Sequence, residues 1–252
     1  MCVRTRGFTS EYSNFSCTFF QHNGRLLLAH GTDRNRLDIS DPQTGSLLTE
    51  RGPTSYRRGE ERPAHYLDYF HCGLTVSPDN EWIADNGWVW HPFGTITAWS
   101  LRGWVTENVW ESEDGPTKKA LCWRDYYWDG PLCWINSRTL AVWGQGTDEE
   151  NLFAAVRLFD VVSGEELGWF PGPVGELVFD EYLFSCAPEH GTSVWDVATG
   201  ERLLHTPEFC PTTYHPGARE FLTWRPDGTL LLSRLEGAEG RSSLPLENHA
   251  DG

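Results

Sequence analysis

The chain has 252 residues, of which 39% are hydrophobic and 22% charged, which is enough for one domain with a sizeable core. Its formal net charge is −16, and such a field repels phosphate backbones and anionic lipids, so nucleic acid and membrane surfaces are poor partners. No stretch approaches the roughly 18 apolar residues of a membrane span and no apolar leader follows Met1, so we expect a soluble cytoplasmic protein.

Three phrases with the same spacing mark hairpins along the chain: Asp41-Pro-Gln-Thr-Gly45, Asp160-Val-Val-Ser-Gly164 and Asp196-Val-Ala-Thr-Gly200. Each follows a run of β-forming residues, places Gly where a tight turn needs a positive φ, and then resumes with apolar residues. Ser100 and Ser233 hold the position of the Asp in two further runs. A unit of this size must stack on copies of itself to bury its apolar face, so the repeat predicts an all-β protein of the β-propeller class.

The positions of the repeated phrase predict five four-stranded blades. The last two separations are 36 and 37 residues, which is the size of one four-stranded blade. The first two separations are 59 and 60 residues, and each could hold a degenerate extra blade, giving six or seven. The excess of about 20 residues is short for the 40 or so that a blade needs, so long loops are the preferred interpretation.

Alternating runs place the strands in chain order. Blade one is expected at residues 17–21, 25–30, 36–40 and 46–50, and blade two at 70–76, 81–86, 95–100 and a divergent fourth strand near 104–110. Blade three is expected at 132–135, 139–144, 154–159 and 166–170, and blade four at 176–179, 182–186, 192–195 and 202–205. Blade five shows only three runs, at 212–215, 221–225 and 229–235.

Two kinds of motif resemble a known family. Val194-Trp195-Asp196-Val-Ala-Thr-Gly200 resembles the closing strand of a WD-repeat blade, and Ser77-Pro78-Asp79-Asn80 and Arg225-Pro226-Asp227-Gly228 resemble the Ser-Pro-Asp-Gly turns of that family. The Gly-His dipeptide that opens a WD repeat is missing, and arginine is used over lysine. The chain is therefore similar to a divergent bacterial WD-repeat-like β-propeller.

The resemblance implies a way of closing the ring. Propellers of the WD class complete their last blade with an N-terminal strand, which avoids an open sheet edge, and residues 3–8 are placed to do so here. We therefore expect one domain over residues 1–235 and a polar, flexible tail over residues 236–252.

The tryptophans fall into two groups. Trp99 and Trp195 hold equivalent places in the repeat and are expected to pack between blades. Six others crowd around the long connections of blades two and three: Trp82, Trp88, Trp90, Trp123, Trp128 and Trp134. We expect these connections on one face of the ring, at residues 51–68, 87–94, 111–130 and 145–152. Because loops on rigid scaffolds carry function, this sector predicts a binding surface, unless the aromatic rings serve only to order their own loops. The candidate binding residues are Trp88, Trp90, His91, Asp125, Tyr126, Tyr127, Trp128 and Asp129.

Little in the sequence indicates a catalytic, metal-binding or cofactor-binding site. Seven scattered cysteines with no two-residue spacing favour reduced, buried thiols, and the histidines match no ligand spacing, so we expect no metal and no cofactor. The leading hypothesis is a non-catalytic, monomeric interaction module that binds a protein partner. The alternatives are a lectin-like carbohydrate-binding propeller, a site for a neutral or basic small ligand, and a glycoside-hydrolase-like enzyme that uses loop carboxylates.

Overall fold

Five antiparallel sheets stand in a ring and form a five-bladed β-propeller, which confirms the fold and the blade count expected from the repeat. This architecture comes from a computed structural model that describes residues 15–33, 35–235 and 246–249. In every blade the strands pair in chain order, each antiparallel to the next. The first strands of four blades are β1 (Cys17–His22), β4 (Phe70–Val76), β8 (Leu132–Trp134) and β12 (Glu176–Asp180). First strands of neighbouring blades contact one another, β1 with β4 and β8 with β12.

The remaining strands follow in chain order. Blade one adds β2 (Arg25–Asp33) and β3 (Arg36–Ser40), and blade two adds β5 (Trp82–Val89), β6 (Phe93–Ser100) and β7 (Lys119–Asp125). Blade three adds β9 (Thr139–Gln145), β10 (Phe153–Asp160) and β11 (Glu166–Pro171), and blade four adds β13 (Tyr182–Ala187), β14 (Gly191–Trp195) and β15 (Arg202–Thr206). Blade five consists of β16 (Thr213–His215), β17 (Glu220–Trp224), β18 (Leu230–Leu235) and β19 (Leu246–His249).

The repeated phrase forms the turn that its sequence predicts. In blade three the carboxylate of Asp160 accepts hydrogen bonds from the backbone N–H groups of Val162 and Ser163, both at 2.9 Å. The N–H of Gly164 donates to the carbonyl of Asp160 at 2.7 Å, and this glycine has a φ of +81°, which side-chain-bearing residues seldom adopt. The turn therefore fixes the step from third to fourth strand.

Apolar side chains from facing sheets fill the spaces between blades. Trp99 is fully buried between blades one and two, and Trp195 is 6% exposed between blades three and four, so both are core residues as predicted. The indole N–H of Trp195 donates to the hydroxyl of Ser185 at 2.9 Å, which satisfies its buried polar atom.

The predicted fourth strand of blade two is wrong. Residues 104–110 lie in a helical insertion, residues 101–118, that contains α1 (Leu101–Thr106) and α2 (Glu111–Asp114). The hydroxyl of Ser100 caps α1 by accepting from the N–H of Gly103 at 3.0 Å, and helical winding directs the ring of Trp104 into the core. The true fourth strand is β7, which lies inside the stretch 111–130 that was expected to be a single loop.

The helical insertion packs between blades one and two. Trp104 has no exposed surface, and its ring meets that of Trp99 edge to face at 5.8 Å, in a cluster that includes Leu37 and Ile39 of blade one. Blade one itself has three strands, and the expected fourth strand at 46–50 is reduced to one bridge between Ser40 and Leu47. Residues 46–51 still follow the edge of β3, with the N–H of Leu48 donating to the carbonyl of Ile39 at 2.8 Å, and the insertion packs against the apolar side chains of the sheet.

Blade five gains its fourth strand from the C-terminal segment. β19 pairs antiparallel with β18, from Leu232 opposite His249 to Leu235 opposite Leu246. These four residues lie in the stretch 236–252 expected to be a flexible tail, and they pair at the edge assigned to an N-terminal strand. The expected closing segment at residues 3–8 lies outside the described residues.

Two further observations concern the described part of the chain. No helix in it is long and apolar enough to cross a membrane. No disulfide joins the six cysteines that it contains.

Candidate functional site

The connections from second to third strand, and from the last strand of one blade to the first strand of the next, lie on one face of the ring. We call this the upper face. It follows from the antiparallel order of the strands, because successive connections alternate between the two ends of a blade. In blade two these connections are residues 90–92 and 126–131, and they bring the candidate residues together.

The centre of the site is an aromatic stack formed by Phe70, Trp88, Trp90 and Trp128. The ring of Trp88 lies 4.1 Å from that of Phe70 at 22° and 5.1 Å from that of Trp128 at 26°. Trp90 extends the stack, with its ring 6.1 Å from that of Trp88. Trp88 is 6% exposed and Trp90 is 52% exposed, so a buried base supports a ring that faces solvent.

Backbone contacts fix the 126–131 connection to blade two. The N–H of Tyr126 donates to the carbonyl of Pro92 at 2.9 Å, and the N–H of Asp129 donates to that of Asn86 at 3.1 Å. Gly94 permits this contact, because a Cβ at that position would lie 1.7 Å from the carbonyl oxygen of Tyr127. The connection is therefore seated on strands rather than projecting into solvent.

The three aromatic residues predicted as one anchor have different environments. Tyr126 is 61% exposed, whereas Tyr127 and Trp128 are half-buried. The ring of Tyr127 packs 5.8 Å from that of Trp143 and 5.5 Å from the guanidinium carbon of Arg124, and burial raises the pKa of Tyr127 to about 12. Tyr127 thus joins blade two to blade three, and Tyr126 is free to contact a partner.

Carboxylates border the exposed rings. Asp125 is exposed and lies opposite the partly exposed Phe93 on the neighbouring strand. Its backbone pairs with that of Asp148 of blade three in an isolated parallel β-bridge. Hydrogen bonds from Asn151 are the main cause of the lowered pKa of Asp148, so that carboxylate is ionised at neutral pH. The adjacent Glu149 and Glu150 are also exposed. We call Asp125, Asp148, Glu149 and Glu150 the acidic rim.

His91 and Asp129 complete the predicted set. His91 is exposed in the turn between β5 and β6 with a φ of +105°, and Asp129 is half-buried with a φ of +52°. Sequence reasoning placed Asp148 in this sector without pairing it with Asp125, and it missed Phe70 and Phe93 because each comes from a different segment. No local signal could have found them, since only the sheet register and the contact between blades bring them to the site.

Several carboxylates of the hydrolase alternative are engaged inside the protein. Glu113 is buried and accepts from Arg51 at 2.5 Å, Glu111 binds the backbone N–H of Thr117 at 2.8 Å, and Asp85 binds the imidazole of His71. These groups hold the helical insertion and blade two together. Among the described residues, no group of three His, Cys, Asp or Glu side chains is placed to hold a metal ion.

Comparison with known proteins supports the fold. The sequence matches no protein-family model and no curated protein. Among solved structures, the chain is similar to the β-propeller domain of Cps50 (Swd1) from Myceliophteria thermophila, with a TM-score of 0.55 and 15% identity, covering 95% of this chain and 72% of that one. It is also similar to the computationally designed Ika8 protein, with a TM-score of 0.48 and 16% identity, covering 87% of this chain and only 57% of that chain.

Proposed function

We propose that this propeller is a non-catalytic, intracellular interaction module that binds a protein partner through the upper face of blades two and three. The observation that carries the proposal is the exposure of Trp90 and Tyr126 beside a buried aromatic stack, with the acidic rim around them. Rigid aromatic residues dominate interface energies because they bury much area at little entropic cost.

The charge of this surface indicates the partner's chemistry. The acidic rim supplies carboxylates, and the chain as a whole carries a net charge of −16. A partner segment with Lys or Arg next to an apolar residue would place its cation near the rim and over the faces of the exposed rings. The partner is thus a protein with a basic, partly apolar segment.

The test is affinity capture from the native host with two matched double variants. Trp90→Ala with Tyr126→Ala removes the exposed rings and spares the buried base of the stack, and Phe19→Ala with Trp224→Ala removes two rings of similar exposure in blades one and five. We expect the first variant to lose at least about tenfold in affinity for the captured protein and the second to bind normally. Equal capture by both variants would remove this surface from consideration.

Two further measurements separate partner types. Asp125→Asn should mainly slow association and weaken its salt dependence, because rim charges steer more than they hold. A glycan-binding screen addresses the carbohydrate alternative, which stacked indoles would also serve. Glycan binding that Trp90→Ala abolishes, with no protein captured, would replace the interaction module by a lectin-like propeller.

A further inference from the structure

A second feature lies on the upper face, at the border of blades three and four. A cavity of about 260 Å³ opens where blade four meets the end of blade three. Its polar lining comes from Ser185, Glu189, His190, Ser193, Arg202 and His205. The volume corresponds to about nine water molecules, which is below the usual size of drug-binding pockets and suits a small metabolite.

The base of the cavity is a row of polar side chains across three strands. Ser185, Ser193 and His205 are directly paired on β13, β14 and β15. The hydroxyl of Ser185 accepts the indole N–H of Trp195, so its own proton is available to another acceptor. The hydroxyl of Ser193 lies 3.0 Å from Nδ1 of His205; in the tautomer with the proton on Nδ1 the imidazole donates to this hydroxyl, whose own proton is then available to another acceptor.

In two other blades, the equivalent positions hold side chains that form ion pairs within the protein. In blade one, the position three residues before the Asp of the repeated turn holds Asp38. Its carboxylate binds the guanidinium groups of Arg36 and Arg51. The equivalent pair in blade two contains Asp85, which binds His71. In blade four the row borders the cavity, so its polar groups face a space where blades one and two place ion pairs.

Arg202 determines the sign of the charge that the ligand must carry. Its guanidinium lies 5.9 Å from the centre of the Trp195 ring, and no carboxylate among the described residues lies within ion-pair distance of it. Together with two imidazoles and two hydroxyls it gives the cavity mostly donors, against the single carboxylate of Glu189. The negative charge of the whole protein does not decide the charge of the ligand, because salt screens charges beyond about 8 Å at physiological ionic strength.

Glycines shape two walls of the cavity. Gly191 has a φ of +71°, and a Cβ there would lie 2.3 Å from the carbonyl oxygen of Thr206. Gly172 has a φ of +115°, and a Cβ there would lie 2.4 Å from the indole of Trp195. Both backbones therefore approach their neighbours more closely than a side chain would allow, and the cavity is part of a defined packing arrangement.

We propose that this cavity binds a small organic anion, with its carboxylate or phosphate on Arg202 and the hydroxyl groups of Ser185 and Ser193, and with a hydroxyl or amino group donating to Glu189. A guanidinium held over an aromatic ring presents its planar donors in a fixed direction, and this favours a bidentate contact with such an anion. The lining residues of this cavity differ from the residues of the protein-binding surface on blades two and three.

The test uses ¹⁵N-labelled protein titrated with inorganic phosphate, glycerol 3-phosphate and malonate at constant ionic strength set by chloride, with glycerol as the neutral control. We expect saturable NMR shifts confined to residues 172–174, 185–193 and 202–207. A stronger response to glycerol 3-phosphate than to malonate would assign a phosphate ligand, and the reverse order a carboxylate. Arg202→Gln should weaken binding at least about tenfold, whereas Arg102→Gln, which removes an exposed arginine from α1, should not.

A second variant protects the test against an indirect effect. Ser193→Ala removes the hydroxyl without adding bulk to the strand residue, so it should also weaken binding, with an unchanged spectrum in the other blades. The proposal is overturned if the anions cause no saturable shifts in blade four. It is equally overturned if Arg202→Gln and Ser193→Ala, both folded by their spectra, bind as tightly as the unchanged protein.

Discussion

Replacing Trp195 by Ala tests the packing between blades three and four. The ring is 6% exposed, lies 6.1 Å from that of Phe170, and packs in a cluster with Ala141, Val156 and Leu177. A buried tryptophan removes about 200 Å² from water, which corresponds to about 5 kcal/mol at about 25 cal/mol per Å². That figure is an upper bound, and substitutions of buried aromatic residues by Ala cost about 3–5 kcal/mol, so we expect a loss of about 4 kcal/mol.

The assay is equilibrium unfolding in urea followed by circular dichroism, which does not depend on the fluorescence of the deleted ring. Trp195→Phe retains most of the apolar area but removes the N–H that binds Ser185, and we expect it to cost about 1–2 kcal/mol. Trp224→Ala serves as the control, since that ring is 60% exposed, and it should cost less than about 1 kcal/mol. A loss below about 1 kcal/mol for Trp195→Ala would refute the packing described here.

Three further predictions concern other parts of the ring. Arg51→Leu leaves buried carboxylates without their partner and should cost about 3–5 kcal/mol, whereas Arg138→Leu, which removes a largely exposed partner, should cost at most about 1 kcal/mol in the same urea assay. Burial lowers the pKa of Lys118 from 10.5 to about 8, so between these values the unfolded chain binds more protons and this group's contribution to stability rises with pH. The stability of the unchanged protein relative to Lys118→Met should therefore increase from pH 8 to pH 10, and a constant difference would contradict the burial of the charged amine. Removal of residues 246–252 takes away β19 and should lower the melting temperature and promote self-association through the edge of β18. Unchanged behaviour in calorimetry and size-exclusion chromatography would show that β19 does not protect that edge.

The sequence predicted the repeating part of the fold well because the repeat depends on local chemistry. An Asp that binds its own turn, followed by a Gly with positive φ, produces the same hairpin wherever it occurs, as Asp160 and Gly164 show. The helical insertion escaped prediction because its spaced aromatic residues fit a strand pattern equally well. Only the capping hydroxyl of Ser100 indicates a helix, and a six-residue helix such as α1 depends on tertiary packing for its stability.

The candidate site was predicted in part. The sequence placed the aromatic residues and carboxylates in connections of blades two and three, and the structure has most of them there, with Trp88 on β5 and Asp125 at the end of β7. It could not show that Trp88 is buried while Trp90 is exposed, since that difference depends on the ring of Phe70 from a neighbouring strand. The polar row of blade four went unnoticed for the same reason, because Ser193 and His205 are neighbours only in the sheet register.

Hydrogen exchange of the propeller, alone and in complex with its captured partner, tests the central claim most directly. Amides that become buried in an interface are protected against exchange with solvent. We expect new protection concentrated at residues 88–94 and 123–131, around Trp90 and Tyr126, with little change in blade five. Protection confined to other blades, with these two segments exchanging as in the free protein, would contradict the proposed binding surface.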